Sequence, residues 1–103
     1  YMRILSAILP KAVADSRPDC VFYLAGVDPV EGDRYGRLRL TEEGIRRRDR
    51  FVARTVREYG APLVILLSGG YASTPCRTAQ LHAIAFKVAA SLYDDLTRHT
   101  LTA

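Results

Sequence analysis

Two uninterrupted apolar runs of strand length limit what this chain can fold into. They are residues 20–25 (CVFYLA) and 63–67 (LVILL), and each ends at a glycine-containing turn. Because neither run alternates polar and apolar residues, both predict β-strands buried on both faces. The helical pattern between them predicts a crossover connection, which makes the two strands parallel.

Three segments carry apolar residues at helical spacing and predict helices: residues 2–15, 42–59 and 75–93. Thr41 is the predicted N-cap of the second helix, and Gly60 ends it. The pair Thr74 and Pro75 opens the third helix. The chain therefore predicts an α/β protein with two parallel strands and about three helices. Two strands leave both sheet edges unpaired, so residues 1–103 are predicted to be a partial single domain.

Charge and hydropathy exclude several classes of partner. The net charge is +4, but the arginines are spread thinly, and their densest stretch, residues 46–50, is predicted to be a solvated helix face that binds no nucleic acid. No apolar run approaches the roughly 18 residues of a membrane span, so no membrane contact is expected. No secretory signal pattern is visible, which predicts a cytoplasmic location.

Cys20, placed in a core strand, and Cys76 are predicted to be reduced thiols.

The ends of the two predicted strands are where chemistry is expected, because ligands of parallel sheets bind beyond the carboxyl ends. Asp28 follows the first strand and could ligate a metal, act as a base or cap a turn. Tyr71 follows the second strand, where its hydroxyl could stabilise negative charge or its ring could pack over the turn. Residues 68–70 (SGG) could cradle a phosphate, although the full spacing of a phosphate-binding loop is absent.

The two histidines predict no catalytic set. His82 lies in the third predicted helix among apolar residues, and His99 lies in the polar tail. Neither has an Asp or Glu at metal-ligand spacing, so both are predicted to be structural or solvated.

Four motifs occur together in this chain: VFYLAGVDP (residues 21–29), EGDRYGRL (31–38), TEEG followed by RD (41–49) and LSGGY (67–71). In order and spacing they resemble the C-terminal part of the zinc-dependent histone deacetylase superfamily. The Ser-Gly-Gly-Tyr sequence is similar to the class IV branch and its bacterial relatives. The resemblance implies an arginase-deacetylase fold, a three-layer α/β/α parallel sheet of which this chain is the C-terminal piece.

The same resemblance implies residue roles. Asp28 corresponds to the last zinc-binding aspartate, and Tyr71 to the tyrosine that donates to the substrate carbonyl. Substrate-binding positions are Gly26, Tyr35, Gly69 and Gly70, with Tyr35 in place of the Leu that the family usually has at the wall of the acyl-lysine channel.

The implied reaction is amide hydrolysis of an acylated lysine or a related acylated amine, with a histidine base. Candidate substrates include an acetylated protein lysine, a longer acyl-lysine, an acetylpolyamine and a small acylated metabolite. The family's consecutive histidine pair and its Asp-x-His zinc ligands normally lie upstream, and this sequence contains neither. The chain is therefore expected to be inactive alone and to need the upstream part of its domain. Two alternatives are a non-catalytic α/β interaction module and a small phosphate-binding βαβ unit.

Overall fold

The computed structural model describes the backbone of residues 1–102 and the side chains of residues 1–92. The elements follow the order α1 (Met2–Ser16), β1 (Val21–Leu24), α2 (Glu42–Tyr59), β2 (Leu63–Leu66) and α3 (Pro75–Thr102). The predicted α/β class is confirmed, and α3 continues past the predicted end at residue 93. No helix in this part of the chain combines the length and the apolar character that a membrane crossing requires.

The ends of α2 and the start of α3 lie where the sequence predicts them. The Thr41 hydroxyl accepts a hydrogen bond from the backbone N–H of Gly44 at 3.0 Å. Gly60 has a φ of 99°, a left-handed conformation that glycine adopts without strain, and ends α2. Thr74 accepts from the N–H of Arg77 at 3.1 Å in the first turn of α3.

The two strands pair in parallel, with Val21 opposite Leu63 and Leu24 opposite Leu66. Cys20 precedes β1 and is exposed, so the prediction that it lies in a core strand is wrong. Strand pairing begins only at Val21, whose N–H donates to the carbonyl of Pro62 at 2.9 Å. Cys20 and Cys76 are both free cysteines, as predicted.

The sheet is covered on one face only. Successive residues of a strand point to opposite faces, so Phe22, Leu24, Val64 and Leu66 share one face, and all four are exposed. Phe22 and Leu24 keep 64% and 65% of their surface accessible. The opposite face contacts α2 through Tyr23. The prediction of burial on both faces is therefore wrong for the described residues, because their helices do not cover the second face.

The core lies between α2, α3 and the loop after β1. Its buried cluster consists of Val27, Val30, Ile45, Ala53, Leu81, Ile84, Val88 and Leu92. Two of these residues, Val27 and Val30, belong to the loop itself. The loop is closed by hydrogen bonds in which the N–H of Glu31 donates to Leu40 at 2.8 Å and that of Leu40 donates to Pro29 at 2.9 Å. The connection from β1 to α2 is thus anchored in the core.

Candidate active site

The loops that follow β1 and β2 run side by side beyond the strand ends. The N–H of Ala25 donates to the carbonyl of Leu66 at 3.0 Å, and that of Val27 donates to Gly69 at 2.7 Å. Asp28 follows the first loop segment and Tyr71 the second. Both residues therefore lie at the carboxyl edge of the sheet, where the sequence predicts them.

The carboxylate of Asp28 is exposed and lies against two glycines. A Cβ atom at Gly26 would stand 2.8 Å from Oδ1 of Asp28, and one at Gly69 would stand 3.1 Å from Oδ2. The absence of a side chain at Gly26 and Gly69 therefore makes room for the Asp28 carboxylate. Among the described residues this carboxylate accepts no hydrogen bond that would cap a turn, and its exposure leaves it accessible to a ligand.

Three consecutive residues of the β1–α2 loop hold Tyr71. Oδ1 of Asp33 accepts from the backbone N–H of Tyr71 at 2.6 Å. The N–H of Arg34 donates to the carbonyl of Tyr71 at 2.8 Å. The ring of Tyr35 meets the Tyr71 ring edge to face, with centroids 5.0 Å apart and an interplanar angle of 89°. The backbone N–H, the backbone carbonyl and the ring of Tyr71 are thus each in contact with the neighbouring loop.

Asp33 is itself fixed within its loop. Its Oδ2 accepts from the N–H of Gly36 at 2.7 Å and from that of Tyr35 at 3.0 Å. Partial desolvation disfavours the charged carboxylate, but the hydrogen bonds from Tyr71, Gly36 and Tyr35 outweigh it and lower the pKa of Asp33. Gly36 also lies directly against Asp28, because a Cβ there would overlap the Asp28 carbonyl oxygen.

A cavity of about 640 Å³ lies between the β2–α3 loop and α3. Tyr71 and Arg34 line it together with apolar residues that include Leu67 and Phe86. His82 also lines the cavity, and its Nδ1 is buried without a hydrogen-bond partner among the described residues. The side chain of His99 lies outside the described residues.

A buried ion pair on α2 lies beneath the same edge. Arg48 and Asp49 are only 4% and 2% exposed, so the prediction that residues 46–50 form a solvated face is wrong for these two residues. Arg48 Nε donates to Asp49 Oδ1 at 3.0 Å, and the Tyr23 hydroxyl donates to the same oxygen at 2.5 Å. The Arg48 guanidinium also lies 5.8 Å from the Tyr23 ring centroid. These contacts offset part of the cost of burying the two charges, although Arg48 Nη2 and Asp49 Oδ2 are buried without a hydrogen-bond partner among the described residues.

The charge states of this network follow from burial and neighbours. Burial raises the pKa of the Tyr23 hydroxyl, and the bond to Asp49 adds to this, so the hydroxyl remains a donor. Burial opposes the positive charge of Arg48, but Tyr23 and Asp49 outweigh it and raise the pKa of Arg48. Arg48 therefore remains a cation inside the fold.

Comparison with known proteins identifies the family of this chain. The family described as the histone deacetylase domain matches residues 1–86, which is most of the chain. The chain belongs to the histone deacetylase family.

Two relatives illustrate the match. Histone deacetylase 2 of Arabidopsis thaliana is 42% identical over 77 residues, which cover 75% of this chain and 20% of that protein. An uncharacterized protein of Picosynechococcus is 37% identical over 93 residues, which cover 90% of this chain and 31% of that protein. The chain thus spans less than a third of the length of each of these two relatives.

Zinc, which deacetylases of this family generally use, fits Asp28 as one ligand. The open carboxylate beside Gly26 and Gly69 is a suitable oxygen donor. The described residues hold no group of three His, Cys, Asp or Glu side chains that could bind a metal. A catalytic zinc site takes about three protein ligands, so Asp28 fits only as part of a larger ligand set.

Sequence reasoning missed Asp33, Gly36 and the Arg48–Asp49 pair as parts of this candidate site. The spacing of Asp33 and Gly36 is a local signal for a side-chain-capped turn. No local signal indicates the hydrogen bond between the Tyr71 N–H and the Asp33 carboxylate, because the two residues are 38 positions apart in the sequence. Zinc binding by Asp28, oxyanion stabilisation by Tyr71 and substrate binding by Gly26, Tyr35, Gly69 and Gly70 stay predictions.

Proposed function

We propose that residues 1–103 are the C-terminal portion of a zinc-dependent deacetylase domain that hydrolyses the amide bond of an acylated lysine or a related acylated amine. One observation carries the proposal: Tyr71 is held by its backbone and its ring at the sheet edge that also bears the open Asp28 carboxylate. A phenol hydroxyl and a carboxylate that could ligate zinc, both at one sheet edge, suit a reaction in which negative charge develops on a carbonyl oxygen.

Each residue has a distinct role in this proposal. Asp28 would hold zinc together with ligands from the upstream part of the domain, and zinc supplies Lewis-acid polarisation of the acyl carbonyl. The Tyr71 hydroxyl donates to the same oxygen as its negative charge increases. Because Asp33 and Arg34 fix the Tyr71 backbone in advance, little reorganisation is needed at that moment.

Substrate contacts are proposed for the residues around Tyr71. Tyr35 is 74% exposed, which leaves its ring free to contact an acyl-lysine chain. Gly26 and Gly69 leave the space beside the Asp28 carboxylate free of side chains. Gly70 lies on the cavity wall with Tyr71, where a Cβ would overlap Val27. A base for the attacking water would come from the upstream histidine pair, so the chain alone is expected to bind zinc weakly and to hydrolyse nothing. Tight, stoichiometric zinc binding by the purified chain, together with hydrolysis of an acetyl-lysine peptide, would contradict the proposal that the chain is a partial domain.

Phosphate binding at residues 68–71 is disfavoured by two hydrogen bonds. The N–H of Tyr71 is taken by Asp33, and that of Ala72 donates to the Thr78 hydroxyl at 3.1 Å. A phosphate would have to displace a carboxylate that repels it.

The test is Tyr71→Phe in the complete domain, which removes the hydroxyl and keeps the ring. Hydrolysis of an acetyl-lysine peptide is expected to lose about 10²- to 10³-fold in kcat, with zinc content and Tm nearly unchanged. Tyr59→Phe is the matched control, because Tyr59 is an exposed tyrosine at the end of α2. A kcat within about threefold of the parent would remove Tyr71 from the mechanism.

A further inference from the structure

Asp33 joins the two loops of the candidate site through both of its carboxylate oxygens. Oδ2 binds its own loop through the N–H groups of Tyr35 and Gly36, and Oδ1 binds the other loop through the N–H of Tyr71. The bond to Tyr71, at 2.6 Å, is short for an N–H donor.

Packing alone holds Tyr71 weakly, because its side chain is 56% exposed and the Tyr35 ring against it is exposed as well. The hydrogen bonds of the Tyr71 backbone to Asp33 and Arg34 are therefore the main restraints on where the Tyr71 backbone lies, and so on the point from which its side chain extends. Arg34 contacts the Tyr71 carbonyl through its backbone N–H, which any residue except proline would supply. The Asp33 carboxylate is therefore the one side chain among these two backbone contacts.

We infer that Asp33 is a positioning residue of the proposed reaction, which acts on catalysis only through Tyr71. The inference rests on the proposed function of Tyr71. A misplacement of about 1 Å of a reacting group costs up to about 10²-fold in rate, so a tether on the backbone of the donor residue has a measurable catalytic effect.

The chemistry requires a carboxylate at this position. Asp33 accepts from three backbone N–H groups, two on one oxygen and one on the other. An asparagine has a single acceptor oxygen, which can retain the bonds from Tyr35 and Gly36. Its NH₂ group would then face the N–H of Tyr71, donor against donor. Asp33→Asn therefore preserves the local turn and removes the link between the loops.

A double-mutant cycle in the complete domain tests the inference. The kcat and KM for an acetyl-lysine peptide are measured for the parent, Asp33→Asn, Tyr71→Phe and the double variant. Asp33→Asn is expected to lower kcat by about 10- to 100-fold with KM changed less than about twofold. In the Tyr71→Phe background the same change is expected to cost less than about twofold, because the hydroxyl that it positions is gone.

Glu31→Gln is the matched control, since it removes one negative charge from the same loop at an exposed residue. It is expected to retain the parent kcat. A loss of kcat in Glu31→Gln equal to that in Asp33→Asn would overturn the inference, because loop charge would then be the cause.

A second readout follows the tether itself. The amide proton of Tyr71 is expected to resonate downfield in the parent domain and to move upfield and exchange faster in Asp33→Asn, with the Gly36 amide unchanged. Equal changes at both amides would show a collapsed turn and overturn the inference.

The kinetic outcomes separate the inference from the proposed function. Loss of kcat in Tyr71→Phe with a parent-like Asp33→Asn overturns the inference alone. Losses that multiply in the double variant also overturn it, because Asp33 would then act independently of the hydroxyl. A parent-like Tyr71→Phe overturns the proposed function and the inference together.

Discussion

Nη1 of Arg48 donates a hydrogen bond to the carbonyl oxygen of Gly26 at 2.6 Å. A buried cation on α2 thereby holds the loop two residues before Asp28. The same guanidinium is bound by Asp49, which also accepts from Tyr23 of β1. The position of Asp28 therefore depends on a charge network beneath it as well as on its own loop.

Asp49→Ala is expected to destabilise the complete domain by about 3–5 kcal/mol, because it leaves the Arg48 charge buried without its carboxylate. Chemical denaturation measures the change. Glu58→Ala removes an exposed carboxylate from the same helix and should cost less than about 0.5 kcal/mol. If both variants lost the same small amount of unfolding free energy, Arg48 would have found a substitute partner for Asp49.

Asp28→Ala is expected to abolish zinc retention and turnover in the complete domain, since one of about three protein ligands is lost. Asp28→Asn keeps the shape of the side chain and should weaken zinc binding through the lost charge. Zinc content per chain is the measurement, with Asp15→Ala on α1 as an exposed control. Full zinc occupancy in Asp28→Ala would show that this carboxylate is no ligand.

Gly36→Ala is expected to lower zinc content, because the new Cβ overlaps the Asp28 carbonyl oxygen and must displace the Asp28 backbone. Gly32→Ala in the same loop is the matched control. Its φ of 86° strains an alanine by about 1–2 kcal/mol, but no atom lies within 4 Å of the new Cβ. Gly32→Ala should therefore lower Tm and retain zinc, whereas identical zinc loss in both variants would contradict the steric argument.

Acid is expected to remove the contribution of Asp33 to stability. The pKa of Asp33 lies below its ordinary value of 3.8, so its contribution is present above that pH and is lost as the pH falls through the folded-state pKa. The difference in unfolding free energy between the parent and Asp33→Asn should be constant well above pH 3.8 and shrink below it. Denaturation curves at a series of pH values measure it. A difference that already disappears near neutral pH would assign the effect to another group.

Local signals predicted much of the fold. Thr41 and Gly60 mark the ends of α2 because capping depends on residue type at a single position. The two apolar runs located both strands, and their order predicted the parallel pairing. Which faces are covered depends on where helices pack, and an apolar run does not encode that.

The position of Asp28 and Tyr71 at one sheet edge was predictable from the ends of the two strands, whereas their roles rest on the motif resemblance alone. Arg48 and Asp49 lie in a charged stretch whose periodicity does not distinguish a solvated from a buried position. The hydrogen bond between Tyr71 and Asp33 joins two loops through residues that are 38 positions apart, and it depends on the alignment of the two strand ends. Such contacts follow from tertiary structure and have no local signature.

Residues 33–35 supply, in direct succession, the contacts to the amide, carbonyl and ring of Tyr71. One inserted or deleted residue within this tripeptide would shift all three contacts out of phase. Residues 37–39 are exposed and precede the anchor at Leu40, so length changes are tolerable there. Related chains should therefore vary in loop length after Gly36 and keep a constant length before it.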